Sequence, residues 1–387
     1  MANLLNKLRM LDAEPKKPQA VKTQLKQEDN FYHSSTHFPL SLFSDFSHAR
    51  KEVLESIFGC PFPDRITPQD ILFLDTETTG LSGGVGTLAF QIGIGYFTDT
   101  AFVVEQFLMH DYPQEAPMLR ALQSILRRFS ILCTFNGRTF DAPLLNSRFL
   151  MNRIPATSIP SCHADVLYPA RRLWKLRLKK CNLGHLEEQL LHVERDNDIP
   201  GSEVPQIYFQ YLKDKHFEPL KKILEHNKQD IVSLAQLFYF MCKQVDNPEQ
   251  ITDVQDLFSL ARSMERSGHV EKALHCYELS AENGMSTEAC SAMAVIEKRN
   301  GNIDKAVSLY QQVLVNGDDS VNACEALAKL YEHKFKDIAS ALSYTRQALL
   351  YLSEPSLFRD DTVQEQQKAL QYRYARLRRK LSKQSNE

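Results

Sequence analysis

Residues 71–80, which read ILFLDTETTG, decide the fold that this sequence predicts. The four apolar residues Ile71–Leu74 are bounded by turn-forming residues, a pattern that predicts a buried strand. Asp75 and Glu77 come next, and residues two apart on a strand point to the same face. Two carboxylates placed together repel each other and lose hydration, and Mg²⁺ or Mn²⁺ would relieve both costs. The competing interpretation is an acidic turn whose side chains lie in solvent.

The bulk composition is typical of a globular protein. The chain has 387 residues, 43% of them hydrophobic and 24% charged, which is enough for two or three domains. Its formal net charge of −2 gives no overall basic field, so any binding of nucleic acid has to depend on local patches. The eight cysteines form no C-x-x-C pair, which argues against a zinc site or a disulfide framework. Because the sequence has no long apolar stretch and no secretory signal, we expect a cytoplasmic protein without membrane contact.

Strand and helix patterns alternate from residue 70 to residue 245. We expect residues 1–30 to form a mobile tail and residues 31–69 a lead-in segment with one helix. Further strands are predicted at Ala89–Phe97, Ala101–Met109, Ile131–Phe135 and around Ile159–Val166, and helices at Ala116–Phe129, Phe140–Leu150 and Leu220–Lys243. This order predicts an α/β domain in which a mixed five-stranded sheet is flanked by helices.

The last third of the sequence is helical and repetitive. The segment Gly268–Tyr277 aligns with Gly301–Tyr310 at an offset of 33 residues, with alanine and tyrosine at matching places. The period and these residues resemble tetratricopeptide repeats, which implies an all-α repeat domain over residues 250–352 that binds a protein or peptide partner. The competing interpretation is an ordinary helical bundle. Residues 353–387 are predicted to form a basic helical tail.

Two more acidic signals follow predicted elements of the α/β domain. Asp141 comes just after the strand Ile131–Phe135, and sites in open α/β sheets form at the carboxyl ends of strands. A helix cap is the simpler role for this residue. His226 and Asp230 are four residues apart within a predicted helix and therefore share one face. A histidine on such a face is often only a core residue, but a metal cluster would give the pair a partner.

In order along the chain, Asp75-x-Glu77, Asp141 in N-x-x-x-F-D, and His226 with Asp230 resemble the three motifs of the DEDD exonucleases. These enzymes belong to the RNase-H-like superfamily. The sequence is more similar to the bacterial YprB-like group, which joins such a domain to tetratricopeptide repeats. The resemblance covers residues 70–245 and implies a 3′-5′ exonuclease that cleaves nucleic acid, at a single-stranded end, with two ions of Mg²⁺ or Mn²⁺.

The resemblance also implies a role for each residue of the site. Asp75 would bridge both ions. Glu77 and Asp230 would complete the shell of one ion, and Asp141 would hold the other through water. His226 would orient or deprotonate the attacking water, since histidine is suited to accept a proton near neutral pH.

Other interpretations stay open at this point. The DEDD enzymes that use histidine have the spacing His-x4-Asp, whereas this chain has His-x3-Asp between His226 and Asp230. The nearby polar pair His163 and Asp165 is expected to support the site rather than to act in catalysis. The alternatives for the whole domain are a non-catalytic scaffold that only binds nucleic acid and an RNase-H-like endonuclease.

A basic stripe and a glycine loop are candidates for contact with a nucleic-acid strand. Cations surround the single tryptophan between residues 171 and 180, where they could follow a phosphate backbone while the ring stacks on a base. Glycines in the loop after residue 80 would let a strand approach the backbone closely. The competing interpretations are an amphipathic helix with its cations in solvent and a plain hairpin loop. The candidate binding residues are Gly83, Gly84, Asn136, Arg171, Arg172, Trp174 and Lys175.

Overall fold

The computed structural model describes residues 22–26, 31–43, 46–80, 86–155, 159–195, 198–316, 320–353 and 361–384. The chain forms two compact units, Met1–Asn247 and Pro248–Glu387. The first unit contains a mixed sheet with helices, and the second is helical, so the predicted fold class is confirmed. No helix in these described ranges is long and apolar enough to cross a membrane.

Among the described residues, seven strands form one mixed sheet in the first unit. The strands are β1 (Lys22–Lys26), β2 (Tyr32–Pro39), β3 (Ile71–Thr78), β4 (Ala89–Phe97), β5 (Ala101–Leu108), β6 (Ile131–Thr134) and β7 (Cys162–Asp165). They lie in the order β1-β2-β5-β4-β3-β6-β7. β3 pairs antiparallel with β4 and parallel with β6, and β6 pairs parallel with β7. The carboxyl ends of β3, β6 and β7 therefore lie at the same edge of the sheet.

The sheet has two strands more than predicted, because the segments predicted as a tail and a lead-in both contribute a strand. β2 pairs along its whole length with β5, and β1 pairs with β2. The sequence of β2, YHSSTHFP, is polar, yet most of its side chains are buried. His33 Nε2 lies 2.7 Å from Glu105 Oε2, and the Tyr96 hydroxyl donates to the same carboxylate at 2.6 Å. Since hydrogen bonds help to hold this strand, an apolar pattern does not predict it.

Helices cover both faces of the sheet. In the first unit they are α1 (Lys51–Phe58), α2 (Glu115–Leu126), α3 (Asp141–Met151), α4 (Leu167–Leu178), α5 (Leu183–Leu186), α6 (Val204–Asp214) and α7 (Glu218–Asp246). Leu72 and Leu74 of β3 join a core cluster with residues of α2, α3 and α6. Phe73 points to the other face, where its ring centroid lies 5.8 Å from that of Phe238 in α7. The odd-numbered side chains of β3 therefore face α7.

The second unit consists of paired helices. Its helices in the described part are α8 (Val254–Arg266), α9 (Val270–Glu282), α10 (Ser286–Arg299), α11 (Ile303–Asn316), α12 (Ser320–Leu330), α13 (Ile338–Ser353) and α14 (Asp361–Gln384). Gly268 and Gly301 follow the first helix of successive pairs, with φ of 84° and 87°, a conformation that favours glycine. The matching Ala273 and Ala306 are both fully buried. The sequence repeat therefore corresponds to a repeat of helix pairs.

The predicted basic tail contains helix α14, which packs on the rest of the second unit. Leu377 is fully buried. Glu332, whose side chain is also buried, lies 2.8 Å from Arg373, 2.6 Å from Arg376 and 2.9 Å from Lys380. These cations of α14 therefore neutralise a buried acid and are not simply a solvated helix end.

Gly95 of β4 lets α7 approach the sheet closely. A Cβ atom at this position would lie 2.4 Å from Ile231 Cγ2 and 2.5 Å from Phe102 Cζ. We therefore expect Gly95→Ala to lower the free energy of unfolding by about 1–3 kcal/mol through overpacking. Urea unfolding followed by the fluorescence of Trp174, the single tryptophan, measures this effect in the first unit. The control Gly201→Ala, at a position with no neighbouring atom within 4 Å, should stay within about 0.5 kcal/mol of the wild type. Equal losses in both variants would contradict the packing argument.

Candidate functional site

Strand β3 carries Asp75 and Glu77 on the face that α7 covers. The sequence predicts that the strand ends at Leu74, but it runs to Thr78, so the two carboxylates lie within it. They are paired across the sheet with Gly93 and Gln91 of β4. The backbone hydrogen bonds of β3 therefore fix both side chains on one face, and only 14% of the Glu77 side chain is exposed.

Helix α7 places His226 and Asp230 beside Glu77. The two α7 residues are one turn apart, and His226 Nε2 lies 3.3 Å from Asp230 Oδ2 and 3.8 Å from Glu77 Oε1. One potential ligand atom from each of the three side chains lies within 4.8 Å of the other two. Carboxylate oxygens and an imidazole nitrogen at this separation form a donor set that can hold a divalent cation.

Asn227 of α7 fixes the position of Asp75 without neutralising its charge. Its Nδ2 donates a hydrogen bond to Asp75 Oδ2 at 2.9 Å, and its Oδ1 accepts one from Gln106 Nε2 at 3.1 Å. Gly93 leaves room for this amide, because a Cβ atom there would lie 2.0 Å from Asn227 Oδ1. The sequence does not predict Asn227 or Gln106 as site residues. The one available signal is that Asn227 directly follows His226 in the third motif.

Asp141 approaches the site from the other face of the sheet. It is the first residue of α3, and the Thr76 hydroxyl donates a hydrogen bond to its Oδ1 at 2.5 Å. Asp165 holds the connection that precedes it, by accepting hydrogen bonds from the backbone N–H groups of Asn136 at 2.8 Å and Arg138 at 2.9 Å. Asp165 therefore has the supporting role that the sequence suggests, since it positions the loop that carries Asp141.

The acids around β3 carry more negative charge than their neighbours neutralise. Burial, and then the charges of Asp230 and Asp141, raise the pKa of Asp75 well above its ordinary value. Burial also raises the pKa of Glu77 to about 8, although the charge of His226 opposes this rise. The pKa of Asp141 is raised by burial to about 6, against the effect of its hydrogen bonds. Acids in this condition fit a divalent cation, because its charge would favour their ionised forms.

Arg195 joins three carboxylates next to this cluster. Its guanidinium pairs with the two oxygens of Glu187 at 2.5 and 2.7 Å, with Asp198 at 3.1 Å, and with Asp230 Oδ1. Arg195 and Asp198 lie in the connection between α5 and α6. The sequence does not predict Arg195 and Asp198 as part of the site. They lie in an irregular connection, which has no periodic pattern that could show which side it faces.

His226 is oriented by contacts at its second ring nitrogen. Nδ1 lies 2.6 Å from Asp198 Oδ1 and 3.2 Å from Arg195 Nη1. In the neutral ring, when Nδ1 donates to Asp198, Nε2 is an acceptor that faces Glu77 and Asp230. Burial alone would lower the pKa of His226, but the charge of Asp230 and the hydrogen bond with Asp198 outweigh burial and raise it.

Gln91 is a further polar residue next to Glu77. It is paired with Glu77 across β3 and β4 and is fully buried. Within the described ranges, neither atom of its amide group has a hydrogen-bond partner. Buried amides are normally hydrogen-bonded, so a free one beside buried acids is consistent with a site that accepts another polar group.

One of the predicted nucleic-acid contacts is wrong. Trp174 is fully buried, and its indole N–H donates to Gln244 Oε1 at 3.2 Å, so its ring cannot stack on a base. Arg172 is exposed and donates one hydrogen bond to the backbone carbonyl of Ile57, so its contact with nucleic acid stays a prediction. The interpretation of this segment as an amphipathic helix is right for the tryptophan, because the ring belongs to the apolar face of α4.

Of the other predicted nucleic-acid contacts, three are exposed and two lie outside the described residues. Arg171 and Lys175 are exposed and lie one turn apart on α4, and Asn136 is exposed just after β6. These three residues line one groove of the first unit. Gly83 and Gly84 lie outside the described residues.

The chain is similar to several known proteins. A family model described as the RNase H superfamily matches residues 72–242. The chain is 29% identical over 321 residues to the uncharacterized protein YprB of Bacillus subtilis strain 168, an alignment that covers 81% of this chain and 75% of that protein. A solved structure, the family B DNA polymerase of the hyperthermophilic archaeon Pyrobaculum calidifontis, matches with a TM-score of 0.37 and 10% identity over 64% of this chain. The chain spans only 50% of that polymerase.

The matched range includes all the acidic site residues, from Asp75 on β3 to Asp230 on α7. It also includes the groove residues on α4. Residues 72–242 therefore form an RNase-H-like domain with a nuclease-like fold, and the chain is similar to YprB over most of its length.

Proposed function

We propose that this protein is a metal-dependent nuclease that hydrolyses phosphodiester bonds of nucleic acid, and that it is a 3′-5′ exonuclease of the DEDD type. One observation carries the proposal: four carboxylates meet around β3, and burial raises the pKa of three of them. The four acids are Asp75, Glu77, Asp141 and Asp230. The RNase H superfamily match supports the proposal, because domains of this superfamily typically depend on divalent metal.

The donor set fits two ions of Mg²⁺ or Mn²⁺, which prefer carboxylate oxygens. On this proposal the four acids would hold the ions: Asp75 would be shared, Glu77 and Asp230 would complete one site, and Asp141 would complete the other. When bound, the ions would lower the pKa of the attacking water and neutralise charge that develops on the phosphate. Asn227 supports this arrangement, since its hydrogen bond holds one oxygen of Asp75 in place.

His226 is the proposed proton acceptor. Its Nε2 faces the acids, and Asp198 fixes the ring from the opposite side at 2.6 Å. A histidine held by a carboxylate in this way keeps one tautomer and one orientation. Arg195 binds Oδ1 of Asp230, which leaves Oδ2 on the side of His226.

A second candidate function is binding of nucleic acid without cleavage. The ion pair between Arg195 and Asp230 favours it, because a guanidinium already neutralises one of the four acids. An RNase-H-like endonuclease is the third possibility. The cleavage experiment below gives a different result for each.

For the second unit we propose a targeting role through a protein or peptide partner. Support comes from its repeated helix pairs and from a cavity of about 560 Å³ on α8, α9 and α10. The lining includes the aromatic residues Phe258 and Tyr277 and the cations Arg262, Arg266 and Arg299. Glu265 also lines the cavity and pairs with Arg299 at 2.8 Å. Such a surface suits a peptide with acidic and apolar side chains.

Cleavage of an end-labelled single strand of DNA or RNA tests the proposal. Purified full-length chain with Mg²⁺ or Mn²⁺ should shorten the strand stepwise from its 3′ end, and chelator should stop the reaction. Asp75→Asn should lower the rate at least about 100-fold, since loss of outer partners of a metal already costs about 10–100-fold. The exposed Asp99→Asn is the matched control and should leave the rate unchanged. Internal fragments would indicate an endonuclease, and binding without any cleavage would indicate the scaffold.

The variant His226→Ala tests whether His226 accepts a proton or binds the metal. We expect the rate of cleavage to fall by about 10²–10⁴-fold, the usual contribution of general base catalysis. Binding of Mn²⁺, measured by calorimetry, should change little. The exposed His216→Ala serves as the control and should affect neither quantity. If the variant loses Mn²⁺ binding together with activity, His226 is a ligand or a support of the ligands.

The metal-free protein should become less stable as the pH rises from 4.5 to about 8. Glu77 has an ordinary pKa of 4.5, which burial raises to about 8, so between these values the folded state keeps a proton that the unfolded state has lost. This contribution to stability is present at low pH and is lost towards pH 8. Urea unfolding in chelator, followed by Trp174 fluorescence, should show a weaker pH dependence in Glu77→Gln. The control Glu188→Gln changes a side chain that is 63% exposed, and a similar flattening there would refute the assignment to Glu77.

A further inference from the structure

A groove of about 720 Å³ lies along α4 in the first unit. We define this basic groove by its charged lining, Arg171, Lys175, Lys179 and Lys180, together with Phe135 and Asn136. None of the residues that line it is acidic. Four positive charges around one concave surface repel each other, so their arrangement does not serve the stability of the fold.

The backbone brings the four cations together. Arg171 and Lys175 lie one turn apart on the exposed face of α4, opposite the buried Trp174. Lys179 ends the helix with φ of 62°, a conformation that is uncommon for residues other than glycine. This turn directs Lys180 back along the same groove. Within the described ranges, none of the four side chains has a carboxylate partner.

The basic groove is continuous with the chain segment that carries Asp141. Asn136 lines the groove, and Asp141 begins α3 five residues later. This short connection is rigid, since Asp165 accepts hydrogen bonds from two of its backbone N–H groups and Thr139 Oγ1 donates to Asn136 Oδ1 at 3.0 Å. The groove therefore borders the connection that carries Asp141.

We propose that the basic groove binds the sugar–phosphate backbone of a single-stranded nucleic acid and leads one end of the strand to the acidic site. The cations suit successive phosphates, and the partly exposed ring of Phe135 suits stacking with an unpaired base, the role that Trp174 cannot fill. The choice of ligand rests on the proposed nuclease function. Recognition of phosphates and of a base face is common to DNA and RNA, so the groove accepts either polymer.

Binding is measured separately from cleavage, in chelator and with Asp75→Asn in every protein. The probe is a fluorescent single strand of about 20 nucleotides, longer than a typical single-strand site, and fluorescence anisotropy gives the affinity. The groove variant is Arg171→Glu with Lys175→Glu. Its control, Arg120→Glu with Lys213→Glu, changes the net charge equally at exposed positions that do not line the groove. Trp174 fluorescence checks that all proteins stay folded.

We expect the groove variant to bind at least about tenfold more weakly, and its slope of log affinity against log salt to fall by about 1.4, as two lost phosphate contacts predict. The control should bind as the parent does. Equal weakening of both variants would show only a general effect of charge and would overturn the proposal, as would no change in either. Tighter binding of a polyglutamate peptide than of the strand would also overturn it, in favour of an acidic protein partner.

The test of the basic groove does not depend on whether the protein cleaves nucleic acid. Groove-dependent binding by a chain that never cuts nucleic acid would support the groove and refute the nuclease. Metal-dependent cleavage that survives the two charge reversals unchanged would support the nuclease and refute the groove.

Discussion

Mutual repulsion between carboxylates at β3 is the constraint on which the first unit depends. Acids placed together in a protein interior need a rigid frame and a source of positive charge or a proton. The frame is the middle of the sheet, because β3 is hydrogen-bonded on both sides and the site is closed by α7 on one face and the start of α3 on the other. A strand with backbone support on both sides therefore carries an unfavourable group of charges.

The second unit shows how the same chain treats a buried acid with a structural role. Cations of α14 surround Glu332, and although burial would raise its pKa, the hydrogen bond from Lys380 and the charge of Arg376 outweigh burial and lower it. Asp75 is held by a neutral amide instead, and its pKa moves in the opposite direction. Neutral donors position a carboxylate and leave its charge available. This contrast distinguishes a candidate cation site from an ordinary ion-pair network.

Sequence patterns predict this fold and site as far as periodicity extends. Apolar runs predict β3 to β6, and the spacing of four predicts that His226 and Asp230 share a face. Such patterns do not predict the polar strand β2, because its partner strand β5, which carries Glu105, is distant in sequence. Sequence patterns do not predict Arg195 and Asp198 as site residues either, because both lie in an irregular connection. The prediction for Trp174 is wrong for a different reason. A basic helix with one aromatic residue has the same composition whether that ring faces the core or the solvent.

If the substrate is a polyanion, the acidic site repels it, and the basic groove offsets this repulsion. Carboxylates that are poorly neutralised repel phosphates, and the formal net charge of −2 provides no general attraction. Positive charge is therefore needed locally, and the first unit places it on α4, beside the connection that leads to Asp141. Divalent cations would supply the remaining positive charge at the acids themselves. The separation would have a physical advantage. Fixed cations next to the acids would compete with metal ions, as Arg195 would at Asp230, whereas cations one loop away would attract a strand without occupying the site.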